Sequence, residues 1–265
     1  MPTLTWRFFV GHDIIKLLMT VLFMVLAIII GSLVSLVGGI LLLSAKKRRE
    51  AALLLTMPFG AGALLAAAFF DLLPESFEEA EPSTMILYML GGFIAFFLFE
   101  RLAGWFHHHH QHDEAKDTSQ RWLIVLGDLA HNVIDGVAIG AAFLVSIPTG
   151  IITTFAVAAH EVPKELGTFA LLLSRGWKDK MVILANLATA LGTLAAAVLV
   201  YLLAKDSYEF VPPLLAVTAG FFLYVAASDI IPDIHEQPRR IGTIQAGMLV
   251  LGVVLVGMVM MLLGA

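Results

Sequence analysis

Residues 15–43 read IKLLMTVLFMVLAIIIGSLVSLVGGILLL, with a single charge, Lys16, at the edge. A helix needs roughly 20 apolar residues to cross about 30 Å of hydrocarbon, so this run spans a bilayer with length to spare and is expected to tilt or project. Seven more stretches qualify or nearly so: 51–73, 85–105, 122–145, 150–174, 181–204, 214–231 and 241–264. The 265-residue chain is 59% hydrophobic and 14% charged, whereas soluble domains sit near 45–50% and 25%. It has too little polar surface to cover itself in water. The expected fold is an all-α polytopic membrane protein of eight transmembrane helices, forming a single domain over 1–265 with no separate soluble domain. A cysteine count of zero excludes disulfides, thiolate metal sites and a cysteine nucleophile. The segment MPTLTWRFFVGHD lacks a basic n-region and a small-residue cleavage site, so no removable signal peptide is expected.

Lysine and arginine set the orientation. Alternate loops carry Lys46, Lys47, Arg48 and Arg49; Arg101, Lys116 and Arg121; Arg175, Lys178 and Lys180; and Arg239 and Arg240, against Arg7, Lys16 and Lys205 on the other side. Both termini are therefore expected outside, with the basic loops in the cytoplasm. The loop after the second span, with Glu75, Glu78, Glu79 and Glu81, is then external and acidic.

Span two ends Asp71-Leu-Leu-Pro74-Glu75 and span seven ends Asp229-Ile-Ile-Pro232-Asp233. These spans run in opposite directions, so the echo fits an inverted repeat, a common transporter plan. Spans four and five echo each other as well, His131-Asn132-Val133-Ile134-Asp135 against His160-Glu161-Val162-Pro163-Lys164.

Those two segments hold polar groups where hydrocarbon should be. Span four carries Asp128, His131, Asn132 and Asp135 at i, i+3, i+4 and i+7, which is one helix face. Span five carries His160, Glu161, Lys164 and Glu165. At 1.5 Å per residue, His131 and His160 both lie about 14–15 Å inside their spans, near the midplane. Each ionisable group there costs about 2.5–3.5 kcal/mol, and together they would cost on the order of 15 kcal/mol if left unpaired. They must be paired, metal-bound or wet. Pro163 also frees the Ala159 carbonyl. Imidazole with carboxylate suits zinc and neighbouring first-row divalent ions. A buried ion-pair network locking two helices, with Lys164 paired to Asp135 or Glu161, is the structural alternative.

At these residues the chain resembles the ZIP (Zrt/Irt-like) family of divalent metal transporters: HNxxDG in span four and HExPxE in span five match its two signature helices. The resemblance implies a 3+2+3 helix arrangement with the motif helices central. It implies His131, Asn132 and Asp135 as ligands from span four, and His160 and Glu161 from span five, with Glu165 beside them. Asp229 sits where the family contributes another carboxylate. Many members have His or Glu where this chain has Lys164, a position that helps hold two adjacent ions. An ammonium offers no lone pair. A single-metal site is therefore expected, with Lys164 standing in for the charge of the second ion.

The implied activity is uptake of a divalent transition metal, most simply zinc, as substrate and with no cofactor. Two rivals remain. An intramembrane zinc-dependent hydrolase would use HExxH, but here the second histidine is replaced by Lys164. A carrier of protons or organic ions would use the same carboxylates as relays. The tract His107-His108-His109-His110-Gln111-His112, in a cytoplasmic loop at about 106–120, reads either as weak metal capture or as a plain polar loop. The bilayer is an expected partner and a homodimer a possible one; nucleic acid is not expected. Short loops point to a prokaryotic inner membrane.

Overall fold

The structure, a computed structural model, describes residues 3–44, 46–78, 80–108 and 114–263. All regular elements among them are helices. In chain order these are α1 (Thr3–Ser44), α2 (Lys46–Ala67), α3 (Leu73–Glu78), α4 (Pro82–His108), α5 (Glu114–Val145), α6 (Ile147–Ser174), α7 (Asp179–Ala204), α8 (Val211–Tyr224), α9 (Ile231–Glu236) and α10 (Arg239–Leu263). Part of the His-rich tract lies outside the described residues, and the side chains of the rest of it are likewise undescribed.

Among the described residues, seven helical segments are long and apolar enough to cross a membrane. The eighth expected span is α6, whose 28 residues reach about 42 Å. It carries four ionisable residues and so falls short on apolarity alone. Large apolar side chains such as Leu22, Leu87, Leu191 and Leu262 face outward along α1, α4, α7 and α10. Surface of this kind belongs in lipid, and the chain is an integral membrane protein.

The acidic stretch after span two departs from expectation, because Glu75 and Glu78 continue as helix in α3 rather than forming a loop. Between α2 and α3 a π-helical turn covers Ala68–Leu72, and between α8 and α9 another covers Val225–Ile230. In each case a proline stands two residues after the turn, Pro74 or Pro232. A proline cannot donate to the carbonyl four residues back and its ring crowds that carbonyl. Widening the preceding turn relieves the crowding without breaking the span.

Helix pairing divides the molecule. α5 packs on α7 and α1 on α6, while α2 packs on α10 and α4 on α8. The two groups meet mainly where α2 touches α6 and α5 touches α8. Glycines set two of these crossings. A methyl on Gly62 would stand 2.1 Å from the Leu249 carbonyl oxygen, and one on Gly220 would stand 2.1 Å from that of Met89. Only hydrogen fits there, so the backbones touch. Gly62 precedes Asp71 by nine residues, as Gly220 precedes Asp229.

One residue joins α5 to α6. Ser146 is extended, and its hydroxyl accepts the Thr149 N–H at 3.1 Å. Pro148 sits in the first turn, where a missing N–H costs nothing. So tight a reversal lays the helices side by side, antiparallel. At the far end of α6, Gly176 takes a positive φ of 83° and closes the helix.

Candidate metal centre

His131 and His160 lie fifteen and fourteen residues from Ser146, on either arm of the reversal. Equal arms bring them to one depth. Their Nε2 atoms face each other at 3.4 Å. Asp135 Oδ2 stands 3.8 Å from His131 Nε2 and 3.7 Å from His160 Nε2. Glu161 Oε1 stands 4.0 and 3.6 Å from the same two atoms. One ligand atom from each of the four residues falls within 4.8 Å of all the others. Zinc bonds of about 2.0–2.2 Å place tetrahedral ligands roughly 3.3–3.6 Å apart, so a small contraction closes this set around an ion.

The surroundings fix these groups. His160 Nδ1 lies 3.4 Å from the Ala156 carbonyl oxygen. That oxygen only accepts, so the proton sits on Nδ1 and the Nε2 lone pair faces the cluster. Phe96 stands edge-on to the His131 ring, with centroids 5.4 Å apart. Asp135 Oδ2 is buried and makes no hydrogen bond, which leaves an acceptor oxygen without a partner beside the two rings.

The remaining candidate ligands stand elsewhere. Asn132 is turned away: its Oδ1 accepts from Thr193 Oγ1 at 2.8 Å and its Nδ2 donates to the Asp128 carbonyl at 3.0 Å. Glu165 is buried beside Ser35 and Asn186. With Glu161, Asn132 and Thr193 it lines one side of a cavity of about 20 Å³ whose other walls include Ile28, Ile139 and Val157, room for one water. Asp229 lies in the π-turn before α9, and its side chain is outside the described residues. Lys164 donates to Glu161 Oε1 at 2.6 Å and stands 3.3 Å from Asp128 Oδ1. The Lys164–Glu161 pair of the structural alternative is therefore present, on the edge of the four-atom cluster.

Two positioning residues escaped the sequence reading. Thr193 belongs to a polar stripe on α7, Asn186, Thr189 and Thr193, all buried. That i, i+3, i+7 spacing inside an apolar span was the available signal. Gly60 of α2 packs on α6 so tightly that a methyl there would meet the His160 Cα at 2.8 Å. Nothing in a lone glycine announces that contact.

The cluster borders an open cavity. A cavity of about 510 Å³ runs from His131, His160 and Lys164 past Phe99 and Thr168 to Glu100 and Arg175, at the end of the bundle bearing the basic loops. A second cavity, about 840 Å³, enters from the other end between Lys16, Ser146 and Lys205. Phe143 and Tyr201 are among its walls, and none of the candidate ligands lines it. The buried side chains of Met24, Ile28, Ile139, Phe143 and Ile152 belong to the apolar core of the same bundle.

A family model described as ZIP Zinc transporter matches residues 18–121 and 107–265. The chain belongs to the ZIP family. Among curated ZIP relatives, Zinc transporter ZIP10 of Danio rerio is 42% identical over 134 residues, 48% of this chain and 16% of its own length. Zinc transporter ZIP4 of Homo sapiens is 48% identical over 111 residues, 42% of this chain and 17% of its own. Zinc transporter ZIP5 of Homo sapiens is 38% identical over 155 residues, 58% of this chain and 29% of its own. The matched stretch thus spans about a sixth to under a third of those relatives. In this ZIP chain both signature motifs lie on the helices joined at Ser146, and their histidines and first acidic residues converge.

Proposed function

We propose that this chain carries a divalent transition metal ion, zinc in the first instance, across the membrane through a single site formed by His131, Asp135, His160 and Glu161. The observation that carries the reading is the convergence of these four ligand atoms within 4.8 Å, on two antiparallel helices, at the head of a cavity open to one end. Two imidazoles and two carboxylates match the preference of zinc and its neighbours. Carboxylates also exchange more readily than a closed thiolate set. The names of the relatives support zinc as the cargo.

Asn132 acts in this scheme as a strut anchored on Thr193, and Lys164 supplies the positive charge of an absent second ion. Asp229, in the turn between α8 and α9, is the further carboxylate that the family resemblance implies. The ion binds between the α1–α5–α6–α7 group and the α2–α4–α8–α10 group, and movement of one against the other opens the site to alternate sides. The paired glycine crossings and the two proline-linked π-turns support an inverted repeat within a 3+2+3 arrangement. With the basic loops in the cytoplasm and both termini outside, the open cavity faces inward. A negative-inside potential then favours entry of a dication by about 2.3 kcal/mol per charge per 100 mV. The short connections fit a prokaryotic inner membrane.

Zinc flux into proteoliposomes containing the purified chain tests the reading. Uptake above protein-free vesicles that collapses in His160→Ala supports it; equal uptake by wild type and that variant refutes it. Hydrolysis of a peptide or lipid only when zinc is present would favour the hydrolase instead.

A further inference from the structure

Lys164 already places a cation on an oxygen that the transported ion needs. Its Nζ lies 2.6 Å from Glu161 Oε1, and that same oxygen is 3.6 Å from His160 Nε2 and 4.0 Å from His131 Nε2. An ammonium and a divalent ion drawn to one carboxylate oxygen repel each other at close range. Burial weakens the screening of that repulsion.

A second acceptor is within reach. Asp128 Oδ1 stands 3.3 Å from Lys164 Nζ, one turn before His131 on α5. It is buried and makes no hydrogen bond, so its lone pairs are free for a fuller contact. Asp128 and Lys164 line the same open cavity. Lysine has a flexible four-carbon stem and a head that donates in any direction, so the shift needs no repacking of either helix.

We propose that Asp128 is the holding position for Lys164. A divalent ion takes Glu161 and the ammonium moves to Asp128; when the ammonium returns to Glu161, the ion is displaced toward the cavity. Lys164 is thus a tethered competitor that keeps the ion from being held too tightly to leave. Asp128 is a positioning residue that acts through it. The proposal rests on the four-residue cluster being the cargo site.

The test is a double-mutant comparison on the full chain, with zinc affinity measured by calorimetry in detergent and flux measured in proteoliposomes. Lys164→Met is expected to bind zinc about 10-fold tighter and to lower KM and kcat together, because binding gains what release loses. Asp128→Asn confines the ammonium to Glu161 and is expected to weaken zinc binding several-fold, with Asp128→Glu restoring it. In the Lys164→Met background, Asp128→Asn should leave zinc affinity unchanged. A purely structural Asp128 would shift affinity equally in both backgrounds, and that result overturns the proposal, as does an unaltered affinity in Lys164→Met.

Should Asp128→Asn alone fail to fold, the double variant, which leaves neither charge uncompensated, is compared with Lys164→Met. Equal affinity supports the proposal and weaker affinity overturns it. His160→Ala is the control for the reading beneath. If it abolishes zinc binding, the cargo site stands whatever Asp128 does; if it binds zinc as wild type does, both fall together.

Discussion

His131 and His160 point their Nε2 atoms at one another across 3.4 Å, with ring centroids 5.7 Å apart and planes inclined at 41°. Two neutral imidazoles meeting lone pair to lone pair repel unless a proton or a metal ion stands between them. Both are flanked by Asp135 and Glu161 within 4.0 Å. On the proposed reading, a divalent ion stands between them and the four side chains share it.

Removing one of the four atoms should therefore cost far more than an ordinary buried substitution. His160→Ala and Asp135→Ala are each expected to lower zinc uptake by more than about 10-fold while the protein still inserts and purifies. Proteoliposome flux, normalised to the amount of reconstituted protein, reads this. Retention of wild-type flux in both variants would remove the site.

Thr193→Val keeps the shape of the side chain and deletes its hydroxyl. Asn132 Oδ1, now bound at 2.8 Å, would be left buried without a donor, at a cost of about 1–3 kcal/mol. The metal-free protein should melt lower, and zinc uptake should fall less than in His160→Ala, since Asn132 stands outside the cluster. An unchanged melting temperature would mean that Asn132 finds another partner and is no strut.

Glycines give a contrast that owes nothing to chemistry at the site. Gly60→Ala would drive a methyl to 2.8 Å from the His160 Cα and 2.9 Å from the Ala159 carbonyl oxygen. Backbone must move, at about 1–3 kcal/mol, and the contact between α2 and α6 opens. Uptake and thermal stability should both drop. Gly91→Ala meets nothing within 4 Å, and alanine is the better helix former by about 0.5–1 kcal/mol; stability should hold or rise slightly. If the two variants behaved alike, the α2–α6 contact would not be the close one described.

The spans and the motif helices were legible in the sequence because hydrophobic length and helical spacing are local properties. Asp128, His131, Asn132 and Asp135 announce a shared face through their intervals alone. What each side chain does on that face was not legible. Asn132 turns to Thr193, sixty-one residues away, and Glu165 turns to Ser35 and Asn186, because the choice depends on which helix lies alongside. Spans that are apolar all round carry no stripe to name their neighbour, so no local pattern announces the pairings of α1 with α6 and α2 with α10. The same holds for the π-turns: Pro74 and Pro232 marked the places, but not whether the span would break or widen.

Affinity for zinc should follow the protonation of two imidazoles. An imidazole ligates only when neutral, since the protonated ring has two N–H donors and no lone pair to give. Protons compete with the ion for the same lone pairs, so affinity must fall in the acid direction. With His131 and His160 both in the site, protonation of the metal-free rings adds up to about two to the logarithm of Kd for each unit by which the pH falls. His131→Ala should bind more weakly throughout and lose about one from that limiting slope, because one imidazole fewer releases its proton on ligation. Calorimetry from neutral pH downward for as long as the protein stays folded, with the same buffer on every side of the protein, isolates this from any proton gradient that would complicate flux. A limiting slope unchanged by His131→Ala would mean that the two rings meet without sharing an ion.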